Sequence, residues 1–547
     1  MKAVFFRLTA VVATGWFLSA PAHPAPETNA VFVSCGNAIA RVVTYRLADQ
    51  TDGHDELVHV DECLLGFNEI RTDVRAPVIA IEDLQTGKGT VCVRMAPLPH
   101  ARSNPDAVDF TYWGRPESVT RRRGLAIHDT GYPYVKLPYE GGADGRTRAL
   151  QDWQRTVRPY VSGRDGLFLS NTWGDRNRDT RINEAFLLDE VRAAAELGVE
   201  VVQVDDGWQS GKSMNSAYAN GKGAWNGYWA ASPDFWVPDP KRFPHGLSFV
   251  TKAAAEKGIR FGLWFGPDSS NDASNWERDA DWLLKLHREC GVDYYKLDSM
   301  KTEGALSLAR QKMLFDKVLK ESGGKVVIDM DVTAERRPGY FGMMTAGPLF
   351  VENRYSDYKT YWPHLTLRAL WSLSAVIDPI RLRMEVLNPL RNRDKYGDDP
   401  LAPAAYPAET LLAIVLPASP LGWFEVQNLD PSTVAAWKPL VETWKRERDD
   451  MAACNVLPVG ARPDGLSWTG FVFTPREKGR PGYGLFFREL SKEVRLDFDF
   501  RRYLPDATKV TILSPRGKAD LSGVETGVRD FVWVRLAPST VTGRGGE

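Results

Sequence analysis

The stretch INEAFLLDEVRAAAELGVEVVQVDDGW, residues 182–208, reads as an amphipathic helix followed at once by an apolar strand that ends on two aspartates. Gly198 stands between the two, where a helix takes a left-handed residue in order to stop. The same unit recurs downstream. GLSFVTKAAAEKG precedes IRFGLWFGP, WERDADWLLKLHRECG precedes VDYYKLDS, and ALSLARQKMLFDKVLKESG precedes KVVIDMDV, with Gly258, Gly291 and Gly323 at the helix ends. GLFLSNTW opens the series, and PLFVENRY, IRLRMEVLN and LGWFEV complete eight strand-like runs. Strands apolar on both faces need helices laid over them. The alternation therefore predicts an α/β chain built on a parallel (β/α)8 TIM barrel over residues 163–452.

The flanks have a different rhythm. Residues 23–162 carry short β-rich runs such as AVFVSC, VIAIEDL and GTVCVRM between polar turns, which predicts an antiparallel, sandwich-like N-terminal β domain. Residues 453–547 return to short strands, LSWTGFVFTP, GYGLFFREL, VRLDFDF, KVTILSP and RDFVWVRLA, without helical periodicity, as a small C-terminal β-sandwich would. Residues 1–22 have Lys2 and Arg7, an apolar run from Leu8 to Ala20 and small residues at Ala20 and Ala22. That pattern is expected of a signal peptide, so the mature protein should be secreted or periplasmic. No later run is apolar for the roughly 18 residues a membrane span needs.

Charge excludes some partners. Lys and Arg number 69 against 70 Asp and Glu, a net charge of −1, so no polybasic surface for nucleic acid is expected. The five cysteines, Cys35, Cys63, Cys92, Cys290 and Cys454, include no C-x-x-C pair, which argues against zinc and leaves a disulfide among the first three open. The eight histidines show no metal-ligand spacing, and neither a metal nor a cofactor is expected. The 18 Trp suit either a large core or flat apolar faces against which the rings of a carbohydrate partner could pack, and core is the default reading for any single one.

In such a barrel the C-terminal ends of the strands face the active site, so polar residues there carry the information. Strand 1 ends on Asn171, Trp173 and Asp175, strand 2 on Asp205, Asp206 and Trp208, and strand 3 on Trp264 and Asp268. Strand 4 ends on Lys296 and Asp298, strand 5 on Asp329 and Asp331, and strand 6 on Glu352, Asn353 and Arg354, followed by Asp357. With a side-chain period of two, Lys296 and Asp298 share a face, and the ammonium favours an ionised carboxylate. A nucleophile requires that state. A glycosidase's second carboxyl must instead hold a proton, and Asp357, among aromatic residues, is the first choice for it, with Glu352 second. Other readings remain: an ion pair in Lys296 and Asp298, a turn in Asp205–Trp208, rim packing by the tryptophans, a divalent metal with Lys296 as base, or sugar binding without catalysis.

The motifs NTWGD, VQVDDGWQ, GLWFGPD and YYKLD, in this order over about 165 to 450, resemble glycoside hydrolase family 36, the α-galactosidases, in its clan with family 27. The resemblance implies a retaining double displacement with Asp298 as nucleophile, and Asp357, in a Ser356-Asp357 pair, as acid/base. It further implies that Asp205 and Asp206 hydrogen-bond the galactosyl hydroxyls on carbons 4 and 6, that Trp173 and Trp264 line the pocket, and that Lys296 touches sugar and nucleophile. Trp208, Asp331 and Arg354 join the expected substrate-binding set. Three features depart from the family's pattern. Gly266 and Asp268 stand where it has glutamates, DMDVTAERRPGYF replaces its Cys or Gly-rich turn, and a long insertion with Trp225 and Trp229 follows strand 2. An α-N-acetylgalactosaminidase and a raffinose-synthase-type galactosyl transferase are the alternatives on the same scaffold.

Overall fold

The computed structural model describes residues 31–538 apart from 36–38, 49–55, 67–69, 115–122 and 334–335. The expected signal peptide lies outside the described residues. Eight parallel strands close a barrel: Leu169–Asn171, Val201–Val204, Arg260–Phe265, Val292–Leu297, Val327–Asp331, Leu349–Phe350, Leu382–Val386 and Ser419–Gly422. Helices lie between consecutive strands except the fifth and sixth, where the described residues of 332–348 form none. In Glu184–Leu197 the Asn183 side chain caps the N-terminus by accepting from the Phe186 N–H at 3.0 Å, and Gly198, at φ 90°, ends the helix.

Two strands differ from the sequence reading. The sixth is only Leu349–Phe350, so VENRYSD belongs to the rim loop. The eighth is Ser419–Gly422, which leaves Trp423, Phe424 and Glu425 just past its end. Both shifts move polar or aromatic side chains from strand to rim.

Single-residue alternation decides how the flanking sheets attach. In the five-stranded N-terminal sheet, Val42, Ile79, Ile81 and Cys92 pack on Phe110, Leu125 and Ile127 of the four-stranded sheet. Their neighbours Val43, Val78, Ala80, Val91 and Val93 point the other way and join the core that contains the barrel. The C-terminal sheets repeat the device: Val472, Phe486 and Val532 fill the sandwich with Val524, while Phe471, Leu485 and Trp533 join the barrel's core. Helix Gly142–Val157 ties the parts together. Its buried Gln151 donates to the carbonyls of Ser374 at 3.0 Å and Val456 at 2.7 Å, and accepts from the Val456 N–H at 2.8 Å. An amide that bonds backbone from a barrel helix and a C-terminal strand fixes their mutual orientation.

All five cysteines are free thiols, so no disulfide joins Cys35, Cys63 and Cys92. Among the described residues no group of His, Cys, Asp or Glu is arranged to hold a metal ion, and no helix is long and apolar enough to cross a membrane.

Candidate active site

Strand 4 carries Lys296 at its end and Asp298 just beyond it. The Lys296 ammonium lies 3.2 Å from Asp205 Oδ2 and 3.9 Å from both Asp298 Oδ2 and Asp331 Oδ2. It also stands over the rings of Phe350 and Trp423, at 4.8 and 5.0 Å from their centroids. Burial disfavours the charged amine, but the carboxylates outweigh it and raise its pKa. Lys296 is thus a fixed cation.

Asp298 is surrounded by donors. Its Oδ1 accepts from Arg337 Nη2 at 2.7 Å and from the Ser299 N–H at 2.6 Å, and its Oδ2 accepts from the Trp264 indole at 3.0 Å. Burial pushes the carboxyl's pKa up, yet Arg337 first, then Lys296, Trp264 and the Ser299 N–H reverse this, and the net effect holds it below the usual value. Ser299 adopts φ 53°, a left-handed conformation that turns its N–H back onto the preceding side chain. Asp331, one strand away, accepts from the Thr333 N–H and hydroxyl at 2.8 and 2.7 Å. Burial, with the Asp298 charge second, pushes it up to about 6.

The second strand ends differently from expectation in two of three residues. Asp205 accepts from Asn171 Nδ2 at 2.9 Å besides Lys296. Asp206 is turned to the insertion that follows, where it accepts from Gln209 Nε2 at 2.6 Å and from the Ser213 hydroxyl, and burial pushes it up to about 6. Trp208, expected at the sugar, is 0% exposed; its indole donates to the Trp264 carbonyl at 2.8 Å, and its ring stacks on Trp236. It supports Trp264 from behind and offers a ligand no surface. Trp173 and Trp264 are also buried, and Trp264 stacks on Trp225 of the insertion at 6.2 Å.

Five consecutive insertion residues are bound to the mouth of strands 3 and 4. Trp225 stacks as described, and Asn226 Oδ1 accepts from the Ser269 N–H at 2.9 Å. The Gly227 N–H donates to Asp268 at 3.2 Å, the Tyr228 hydroxyl bonds the Ser299 hydroxyl at 2.7 Å, and the Trp229 indole donates to Asp279 at 2.8 Å. Gly266 is required by this arrangement: a Cβ there would stand 2.5 Å from Ser299 Oγ and 2.7 Å from the Tyr228 hydroxyl. The glutamate that the resemblance expects at 266 has no room.

At the rim after strand 6, Glu352 and Arg354 turn inward. Glu352 is 0% exposed and accepts from Arg354 Nε at 3.0 Å, while Arg354 donates from Nη1 to the Thr360 carbonyl at 3.0 Å and from its backbone to Glu385 at 2.8 Å. The strand ends at Phe350, and both residues brace the loop that follows. Asp357 faces outward, its side chain 25% exposed, with Oδ2 3.4 Å from Arg176 Nε. Its Oδ1 is buried and has no hydrogen-bond partner among the described residues. Arg176 is held at 4.5 Å over the Tyr355 ring and 4.7 Å over the Tyr358 ring, and donates to the Tyr358 hydroxyl. Trp423 touches both Lys296 and, at 6.3 Å, Tyr355, so one wall runs from Asp298 towards Asp357.

Sequence reasoning missed Arg337, Arg176, Trp423 and Tyr228. The first lies in DMDVTAERRPGYF, the segment that departs from the family pattern, and a charged pair in place of a Gly-rich turn was the available signal. The others come from loops whose contacts no local pattern encodes.

Residues 139–319 match the melibiase family model. α-Galactosidase AgaA of Geobacillus stearothermophilus is 29% identical over 158 residues, 28% of this chain and 20% of that protein. Probable α-galactosidase C of Aspergillus terreus is 32% identical over 154 residues, 26% of this chain and 19% of that protein. The aligned part of the chain thus spans about a fifth of these curated relatives. The galactosidase domain of the α-galactosidase–sucrose kinase AgaSK superposes with a TM-score of 0.65 at 11% identity, covering 92% of this chain and 74% of that one. The family 36 α-galactosidase AgaA of Geobacillus stearothermophilus in complex with raffinose superposes with a TM-score of 0.60 at 14% identity, covering 92% and 76%. At these identities the structural likeness is one of fold.

Proposed function

We propose that this chain, similar over part of its length to the melibiase family model and to curated α-galactosidases, hydrolyses terminal α-linked galactose with retention of configuration. One observation carries the reading: at the end of barrel strand 4 a buried aspartate, Asp298, is kept ionised by Arg337 and Lys296. Its carboxylate attacks the anomeric carbon as the bond to the leaving oxygen breaks, giving a covalent galactosyl-enzyme. Asp357 gives the leaving oxygen its proton and then takes one from the water that releases the sugar. The buried Asp357 Oδ1 has no hydrogen-bond partner among the described residues, which leaves it available to a substrate oxygen. Lys296, beside Asp298 and paired with Asp205 at 3.2 Å, and Asp205 itself can hydrogen-bond sugar hydroxyls, with Trp264 as the apolar wall.

The test is turnover of an aryl α-galactoside by the wild-type protein and by Asp298→Asn. Wild-type hydrolysis with a loss on the order of 10³-fold or more in a folded variant is expected. A galactoside with fluorine at carbon 2 and a fluoride leaving group should leave a sugar on Asp298, detectable in the digested peptide. A fully active Asp298→Asn would refute the reading.

A further inference from the structure

The wall that carries Asp357 has more positive charge than its partners neutralise, in a chain whose net charge is −1. Three rim segments meet there. Lys395 Nζ donates to the Asp357 carbonyl at 2.9 Å, Asn392 Nδ2 donates to the Ser356 hydroxyl at 2.9 Å, and Arg176 approaches the Asp357 carboxylate from the loop after strand 1. Arg176 is 26% exposed and lies flat against two tyrosine rings, its Nε and Nη2 directed to Asp357 and Tyr358; no described residue takes its Nη1. Lys359, Arg393 and Lys395 are exposed and make no ion pair among the described residues, and Arg178 bonds only backbone carbonyls, those of Asn215 and Ser216. Besides Asp357, the exposed acids of these segments are Asp394, Asp398 and Asp399, four carboxyls with Asp357 against the five cations Arg176, Arg178, Lys359, Arg393 and Lys395.

We propose that this wall is the leaving-group subsite and that it receives an acidic sugar, one bearing a carboxylate or sulfate, so that the preferred substrate is galactose α-linked to an anionic residue. The inference rests on the assignment of Asp357 as acid/base, since the acid stands on the leaving-group side of the scissile bond. Two physical steps lead to it. The acid works as a neutral carboxyl, and in that state Arg176 faces the leaving group with no counter-charge on Asp357. A guanidinium held flat by aromatic faces, with a free edge, is preorganised for a bidentate oxyanion, and the lysines around it add attraction at longer range. The tyrosine faces supply the apolar platform a pyranose ring needs.

The experiment compares kcat/KM for one α-galactosyl disaccharide in three forms, with the second sugar as a uronate, as the uncharged primary amide of that uronate, and as a neutral sugar carrying a 6-sulfate. At low salt an anionic form should exceed the amide by about tenfold, with the advantage shrinking as salt rises; which of the two leads identifies the acid group. In the double variant Lys359→Gln with Arg393→Gln, both exposed and making no ion pair among the described residues, the ratio should fall at least about threefold and lose its salt dependence. Equal rates on all three forms, or a preference untouched in the double variant, would overturn the proposal while leaving galactoside hydrolysis intact. Failure to cleave any form, together with failure on an aryl α-galactoside, would remove the glycosidase reading and this inference with it.

Discussion

Replacing Arg337 with methionine should move the acid limb of the pH–rate profile upward. Arg337 Nη2 is 2.7 Å from Asp298 Oδ1, nearer than Lys296, whose ammonium is 3.9 Å away and shared with Asp205 and Asp331. Among the groups that hold Asp298 ionised against burial, Arg337 is the largest. A cation in that position lowers a carboxyl pKa, so its removal should raise the acid limb of kcat/KM, which reports the free enzyme. Activity in the affected range falls about tenfold per pH unit, because only the ionised carboxylate attacks. The sign for stability is the same. A depressed carboxyl pKa stabilises the fold above the unfolded value, and the stabilisation is lost as pH falls through the folded value, so the variant should lose acid tolerance earlier than the wild type. Arg337→Lys keeps a charge without the fork and should lie between the two. Profiles measured on an aryl α-galactoside, with thermal melts to verify folding, provide the readout. Superimposable acid limbs for a folded Arg337→Met would refute the claim that Arg337 holds the nucleophile ionised.

Three further outcomes are expected. Asp298→Asn removes the charge that, after burial, most raises Asp331, so the Asp331 carboxyl should titrate below its present value of about 6, as followed by carbon NMR of labelled aspartate. Gly266→Ala drives a methyl against the paired hydroxyls of Ser299 and Tyr228 and should destabilise by about 1–3 kcal/mol, read as a lower melting temperature with reduced kcat. Asp279, buried and pushed up to about 7, binds a proton in the fold that the unfolded chain gives up near the usual carboxyl value of about 4. Stability should therefore fall as pH rises between about 4 and 7, and Asp279→Asn should flatten that slope in melts across the range; an unchanged slope would show that burial at Asp279 does not set it.

The barrel was legible because its signal is periodic and repeated. The four helix-and-strand units from residue 182 to the fifth strand announce themselves through a 3.6-residue stripe, a terminal glycine and an apolar run, and a (β/α)8 barrel is built on such local units. Lys296 and Asp298 were legible for the same kind of reason, since a period of two places them on one side of one strand. Trp208 was not. An aromatic residue at a strand end reads the same whether it faces a ligand or, as here, lies beneath Trp264. Glu352 and Arg354 misled because the sixth strand stops at Phe350, and where a two-residue strand stops is decided by its neighbours in the sheet.

The sequence by itself determined the architecture, the strand that bears Asp298 and the rim segment that bears Asp357, because these follow from interactions within about one turn or one pleat of the chain. Only the tertiary structure decided what surrounds those carboxylates. Arg337 lies 39 residues from Asp298 and Arg176 lies 181 residues from Asp357. Tyr228 reaches Ser299 across 71 residues, through the space that Gly266 leaves open. Electrostatic fields act through space, so the charge state of a buried carboxyl is set by whichever loops closure of the barrel brings to it, and no local pattern records that.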